Sequence, residues 1–73
     1  MATTSPTTCV EQVGETAGLV WATLSQNGPL SLAQVVKNVG KPRDMVMQAV
    51  GWLAREEKIW IEEEGRKRIV SLR

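Results

Sequence analysis

The sequence contains no histidine, phenylalanine or tyrosine, and only one cysteine among its 73 residues. Without histidine, no imidazole base is present to activate Ser25, Ser31 or Cys9, so nucleophilic catalysis lacks its usual partner. A single cysteine cannot form an intramolecular disulfide, which indicates either a reducing compartment or a fold that does not depend on redox state. No apolar run approaches the roughly 20 residues that span a bilayer, and residues 1–9 lack the pattern of a secretion signal. We therefore predict a cytoplasmic protein that is not an enzyme and carries no cofactor, metal or membrane segment.

Neither sign of charge dominates the chain. Nine Lys and Arg side chains are set against eight Asp and Glu, which gives a net charge of +1. The charges are concentrated in residues 41–73, which hold eight of the basic and six of the acidic side chains. A local excess of two is a weak electrostatic signal for nucleic acid, because domains that bind it usually carry a clearly basic face.

A chain of this length predicts one small domain with a single modest core. Residues 1–8 are rich in Thr, Ser, Ala and Pro and offer nothing to bury, so they are predicted to form a flexible tail. The domain is then expected to cover residues 9–73. Its only aromatic side chains are the three tryptophans, which must supply much of the large apolar volume.

The first helix is predicted to begin at a capping box formed by Thr8 and Glu11. Apolar residues then recur at the spacing of one helical face, and Trp21 lies within that stripe, so we expect it in the core. The predicted stripe consists of Val10, Val13, Ala17, Val20, Trp21 and Leu24. The Gln-Asn-Gly-Pro sequence at residues 26–29 ends the helix.

A second capping box, Ser31 with Gln34, predicts a short helix over residues 32–39 that Gly40 ends. Leu30, just before the cap, is expected to form a very short strand. The side chains that this helix should bury are Leu32, Val35, Val36 and Val39.

A third helix is predicted over residues 42–57, with Lys41 as its N-cap and Pro42 at the first helical position. Because so short a turn separates it from the second helix, the two must cross steeply, as in a helix-turn-helix. Its predicted buried face consists of Val46, Ala49, Val50 and Leu53. The opposite, exposed face should carry Asp44, Gln48, Gly51 and Arg55.

Residues 58–72 predict a β-hairpin with Gly65 and Arg66 as a two-residue turn. The resulting register pairs Glu64 with Lys67, Glu63 with Arg68, Ile61 with Val70 and Ile59 with Leu72, so that acid meets base and apolar meets apolar. Ile59 and Ile61 are expected in the core, with Trp60 on the other face. Three helices followed by this hairpin make a mainly α winged helix-turn-helix with a two- to three-stranded wing.

Three sequence blocks resemble a family of small prokaryotic winged helix-turn-helix domains catalogued as a domain of unknown function. They are GLVWATL at residues 18–24, GPLSLAQVVK at residues 28–37 and GWLAREEKI at residues 51–59. The resemblance extends over nearly all of residues 10–72. It implies three helices followed by a wing, frequent self-association and no established substrate or cofactor. The chain differs from better-known DNA-binding winged helices in two respects: its third helix is poor in Arg, Lys, Ser and Asn, and three consecutive glutamates, residues 62–64, precede the wing tip.

Two groups of residues are candidates for nucleic-acid binding. The tip of the wing is basic, and cations on a projecting hairpin can reach phosphates or a minor groove. An equally weighted alternative is that these cations neutralise the glutamates on the opposite strand of the hairpin. The third helix begins with basic residues that would contact the DNA backbone if the helix docked on a duplex. Gln48 and Arg55 would face the groove, where Gln48 could form hydrogen bonds with an adenine and Arg55 with a guanine. The complete set is Lys41, Arg43, Gln48, Arg55, Arg66, Lys67 and Arg68.

The rival interpretation is a module that dimerises or binds a protein partner, because the predicted fold leaves apolar side chains uncovered. The expected interface consists of Met45, Trp52, Trp60 and Ile69. Gly14, Gly18 and Gly51 lie within predicted helices, which suggests close approach of another backbone, either inside the domain or across a dimer interface. The glutamates at residues 62–64 are not expected to bind metal, because strand alternation separates them onto two faces. The leading prediction is a regulatory module for transcription that binds double-stranded DNA as a homodimer, with no small-molecule ligand evident.

Overall fold

The computed structural model describes residues 8–73, which form three helices and one antiparallel sheet. The helices are α1 (Cys9–Asn27), α2 (Leu32–Val39) and α3 (Arg43–Arg55), and the strands are β1 (Leu30–Ser31), β2 (Ile59–Glu64) and β3 (Lys67–Leu72). The strand order across the sheet is β1-β3-β2, so β3 is central. This is the predicted winged helix-turn-helix, and Leu30 does supply a third strand. The predicted tail lies outside the described residues except for its last member, Thr8.

The predicted caps of α1 and α2 are confirmed. The Thr8 hydroxyl accepts a hydrogen bond from the Glu11 amide at 3.1 Å, and the Glu11 carboxylate accepts one from the Thr8 amide at 2.7 Å. Ser31 and Gln34 make the same reciprocal pair at 3.2 and 3.0 Å. Each pair satisfies two amides that a helix start otherwise leaves without a partner. At the other ends, Gly28 and Gly40 adopt the positive φ angles that stop both helices.

Both ends of α3 differ from the prediction. The N-cap is Pro42 rather than Lys41, because the ψ of Pro42 is extended at 143° and its carbonyl accepts the first helical hydrogen bond, from the Val46 amide at 3.0 Å. The helix ends at Arg55, before residue 57. Glu57 has a left-handed φ of 60°, and the following amide bonds back to the Leu53 carbonyl at 2.9 Å, which turns the chain into β2.

The core lies where α1 packs against α3, with α2 and the sheet closing it. The predicted buried face of α3 is confirmed in full, and its predicted exposed face is exposed. The buried apolar residues are Ala17, Val20, Leu24, Val35, Val46, Ala49, Val50, Leu53, Ile59 and Val70. Burying such side chains is the main favourable contribution to the stability of a domain of this size.

Three residues predicted to be buried are exposed, and four more are only partly buried, namely Val13, Leu32, Val36 and Val39. Trp21 is 46% exposed and Val10 65% exposed, because the buried arc of α1 is rotated towards Thr16. Thr16 is buried and its hydroxyl donates to the Gln12 carbonyl at 2.8 Å, so a polar side chain occupies this border of the core. At 100° per residue Trp21 lies about 140° from Thr16, at the opposite edge. Ile61 is 40% exposed, although Ile59 on the same strand and the same face is buried.

The register of the wing is confirmed at every predicted pair. The Arg68 guanidinium lies 3.4 Å from the Glu63 carboxylate, as the pairing of acid with base predicted. On the outer face of the sheet Trp60 lies opposite Ser71 and is 50% exposed. The Arg73 guanidinium stacks on the Trp60 ring, 3.9 Å from its centroid, so this indole already has a partner within the chain.

No helix within residues 8–73 is both long and apolar enough to cross a membrane. The cytoplasmic location stays a prediction.

Candidate nucleic-acid interface

A shallow cleft of about 460 Å³ lies between the start of α2, the start of α3 and the tip of the wing. We call it the basic cleft, because four of the residues that line it are Lys or Arg. Its lining residues are Ser31, Leu32, Ala33, Arg43, Glu63, Gly65, Arg66, Lys67 and Arg68. The cleft thus joins candidate residues from two parts of the sequence that are more than 20 positions apart.

Local backbone geometry explains why these side chains meet. Gly40 and Pro42 form the turn that ends α2 and places Arg43 in the first turn of α3. In the wing, Gly65 has a φ of 64°, which permits the two-residue turn between β2 and β3. That turn presents Arg66 at the tip, followed directly by Lys67 and Arg68 on β3.

The basic cleft is electrostatically positive despite the glutamates of the wing. Its one acidic residue, Glu63, is paired with Arg68, and both side chains are well exposed, at 74% and 60%. An ion pair in contact with solvent is weak and is screened by salt. Within residues 8–73, no carboxylate oxygen lies within 4 Å of a side-chain nitrogen of Arg43, Arg66 or Lys67. Three cations are therefore available to an anionic ligand.

The other three candidate residues lie elsewhere. Lys41 lines a second cleft of about 370 Å³ beside the start of α3, with Gln12, Glu15, Thr16, Pro42 and Met45. Gln48 and Arg55 lie on the exposed face of α3. Among the described residues Arg55 has no acidic partner within 4 Å. The structure thus brings together four of the seven predicted residues and leaves Gln48 and Arg55 exposed on the neighbouring helix surface.

The predicted protein interface does not form a single patch. Met45 is half-buried in the second cleft, Trp52 lines a third cleft, and Trp60 lies with Ile69 on the sheet. The third cleft, which we call the indole groove, measures about 310 Å³ between α1 and α3. It is lined by Gly14, Ala17, Gly18, Trp21, Trp52, Leu53, Glu56 and Lys58.

The helical glycines are not explained by packing inside the domain. A Cβ added at Gly14, Gly18 or Gly51 would meet no atom within 4 Å. Close approach of a backbone within the domain, one of the two alternatives that the sequence suggested, is therefore wrong, and approach across a dimer interface stays a prediction. Gly14 and Gly18 line the indole groove, whereas Gly51 lies on the exposed face of α3.

Two features of these surfaces were missed by sequence reasoning. The start of α2, at Ser31 to Ala33, contributes to the basic cleft. The capping box at Ser31 predicted that a helix begins there, but its place beside the wing was not predicted. Trp21 contributes to the indole groove; its position one turn beyond Gly18 was the signal. No group of three or more His, Cys, Asp or Glu side chains in residues 8–73 is placed to hold a metal ion.

The fold and the wing define a winged helix-turn-helix domain. Residues 9–72 match the family model described as "Winged helix-turn-helix domain (DUF2582)", and the chain belongs to that family. An uncharacterized protein of Methanocaldococcus jannaschii is 37% identical over 65 residues, which cover 85% of this chain and 91% of that protein.

Two solved structures are similar to the whole domain. The solution NMR structure of a protein from Bacteroides thetaiotaomicron is 32% identical with a TM-score of 0.77, and the match covers 85% of this chain and 76% of that one. The crystal structure of the Zalpha domain of PKZ from Carassius auratus, in complex with Z-DNA, has a TM-score of 0.75. Its identity is 18%, over 84% of this chain and 97% of that one, so it shows likeness of fold alone.

Proposed function

We propose that this chain is a regulatory module that binds double-stranded DNA as a homodimer, holding the phosphate backbone in its basic cleft. The observation that carries the proposal is the meeting of Arg43 from α3 with Arg66 and Lys67 from the wing, all three without an acidic partner within 4 Å in residues 8–73. Contacts of Lys and Arg with phosphates supply most of the affinity of such domains for DNA.

The exposed face of α3 is suited to a groove of the duplex next to that backbone. We propose that α3 lies towards the major groove, where Gln48 and Arg55 can reach base edges and Lys41 the flanking phosphate. A DNA ligand is compatible with the fold, since the Zalpha domain of PKZ was solved in complex with Z-DNA. Few side chains on α3 are suited to reading bases, so we propose that affinity depends mainly on the backbone.

The number of cations sets the expected strength of binding. The three unpaired basic residues of the cleft, together with Lys41, predict about four phosphate contacts in each copy. Each contact contributes a slope of about −0.9 to the dependence of log K on log salt concentration, so the expected slope is about −3.6 for each bound copy. Binding should be modest, and it should weaken markedly between low and physiological salt.

The test is the double substitution Arg66→Ala with Lys67→Ala, measured by fluorescence anisotropy with labelled duplexes at several salt concentrations. Losing two of four contacts in each copy should weaken binding to all duplexes alike and reduce the slope by about half. The matched control is Lys37→Ala with Arg73→Ala, which removes the same charge outside the cleft. Control and wild type should show similar slopes.

Two outcomes would contradict the proposal. One is a double variant that binds as tightly as the wild type, and the other is a wild type that binds no duplex at low salt. Either result would favour the rival function, a module that binds a protein partner. The exposure of Trp52 and Trp60 supports that rival function.

A further inference from the structure

The indole groove presents two large apolar side chains that the domain does not cover. Trp21 from α1 is 46% exposed and Trp52 from α3 is 41% exposed, and both line the same cleft. Tryptophan is enriched among the residues that dominate binding energy at protein interfaces. Unlike Trp60, which stacks with Arg73, neither of these indoles has a cation over its ring among residues 8–73.

The glycines beside these indoles form the hollow part of the same surface. Gly14 and Gly18 are four residues apart, so they lie on one face of α1, and Trp21 lies on the next turn. Glycine inside a helix costs about 1 kcal/mol relative to alanine, and nothing within the domain requires it here. Without side chains, the surface at these positions is open to the backbone or a bulky side chain of another molecule.

We propose that the indole groove is the surface through which two copies of this chain form a homodimer. In a two-fold symmetric dimer, residue i of one copy contacts residue j of the other, and residue j of the first contacts residue i of the second. The same surface must therefore contain both members of every contacting pair. The groove meets this condition in shape, with Trp21 and Trp52 as protrusions and Gly14 and Gly18 as the hollow that can receive them.

The groove is also complementary to itself in charge. Glu56 and Lys58 both line it, and within residues 8–73 neither has an oppositely charged group within 4 Å. A two-fold axis can bring the Glu56 of each copy to the Lys58 of the other. A partner of uniform charge would satisfy only one of these two side chains, which favours a second copy of the same chain as the occupant.

The exposed indoles supply about a quarter of the area that a stable pair buries on each copy. An interface of standard size buries about 800 Å² on each partner, which is about one sixth of the 5111 Å² surface of this chain. The two indoles contribute roughly 200 Å² of exposed surface per copy, given about 250 Å² for a whole tryptophan. Val10, 65% exposed and one turn before Gly14 on the same side of α1, extends the apolar area.

This inference rests on the homodimer of the proposed function but not on DNA binding. Trp52 and Arg43 are nine residues apart in α3, which places them about 180° apart around the helix axis. A dimer formed through the groove therefore leaves both basic clefts open, whereas Gln48 and Arg55, about 40° and 60° from Trp52 around the helix, lie at the border of the interface. The pair would present two clefts related by a two-fold axis, an arrangement suited to a DNA site with the same symmetry.

The experiment is sedimentation of the full chain and two matched variants, Gly18→Leu and Gly51→Leu, across micromolar concentrations. Both glycines are helical, and neither position has an atom within 4 Å of an added Cβ, so both variants should keep the fold, as circular dichroism will show. The wild type and Gly51→Leu should sediment as dimers. Gly18→Leu should fill the hollow and raise the dissociation constant of the dimer by roughly 30-fold or more.

Three results would overturn the proposal: a strictly monomeric wild type, a Gly18→Leu variant that dimerises as tightly as the wild type, or equal weakening by Gly51→Leu. Dimerisation lost in Trp60→Ala but kept in Gly18→Leu would move the interface to the outer face of the sheet. Duplex binding measured on monomeric Gly18→Leu separates the two proposals, because a folded monomer should retain its basic cleft and bind DNA with lower affinity.

Discussion

One substitution, glycine to alanine, should have opposite effects on stability at Gly51 and Gly40. Gly51 lies inside α3 on its exposed face, with a backbone that alanine adopts readily and with nothing within 4 Å of an added Cβ. Gly40 ends α2 with a φ of 75° and a ψ of 21°, in the left-handed region that a side chain disfavours. The space around an added Cβ is open at both sites, so only backbone conformation distinguishes them.

The magnitudes follow from this difference. Gly51→Ala should raise the free energy of unfolding by about 1 kcal/mol, the difference in helix propensity between the two residues. Gly40→Ala should lower it by about 1 kcal/mol, because a left-handed alanine costs roughly 1–2 kcal/mol and the less flexible unfolded chain offsets part of that. For a domain of this size 1 kcal/mol corresponds to about 4–8 °C in Tm.

Urea and thermal unfolding followed by circular dichroism will measure both effects. All three proteins should be compared at one concentration, because self-association would make Tm depend on concentration. Changes in the urea midpoint with an unchanged m-value would indicate altered stability rather than an altered unfolded state. The reasoning would be refuted if both substitutions shifted stability in the same direction, or if Gly51→Ala were clearly destabilising.

Two further predictions concern the core and the wing. Leu24→Ala should lower the free energy of unfolding by about 2–5 kcal/mol, most of the stability of so small a domain, because Leu24 is fully buried. The exposed Leu19→Ala should change it by less than about 0.5 kcal/mol in the same urea titration. Glu63→Gln should tighten duplex binding at low salt and steepen the salt slope by up to about 0.9, because it releases Arg68 from its ion pair. Glu57→Gln, the control that releases Arg73 from an exposed ion pair outside the basic cleft, should do neither. Unchanged binding by Glu63→Gln would show that Arg68 does not contact phosphate.

The parts of the fold that depend on neighbours in sequence were predictable. Both capping boxes join residues three positions apart, and the turn at Gly65 fixes the register of the whole hairpin once its length is known. The start of α3 was misplaced by one residue, since a proline serves equally well on either side of a helix boundary. Such errors at helix ends do not alter which face of the helix is buried.

The sites were predictable only in part. Basic residues at the wing tip and at the start of α3 could be identified separately, but their meeting with the start of α2 in one cleft depends on how the hairpin packs against the helices. Trp21 was misassigned because helical spacing defines a stripe without fixing its edges. The burial of Thr16 decided which edge of α1 faces inward, and the spacing of apolar residues contains no signal for a buried hydroxyl.

The order of helices and strands could be predicted from sequence, as could the caps of α1 and α2, the wing register and the buried face of α3. Each of these follows from contacts over a few residues or from one periodicity. The tertiary structure decided which charges remain unpaired, which tryptophans remain exposed and which surfaces join to form clefts. These properties depend on distances between elements far apart in the chain. The conformational preferences of short segments do not set those distances. They are set by the way in which α1, α2, α3 and the sheet pack around a shared core.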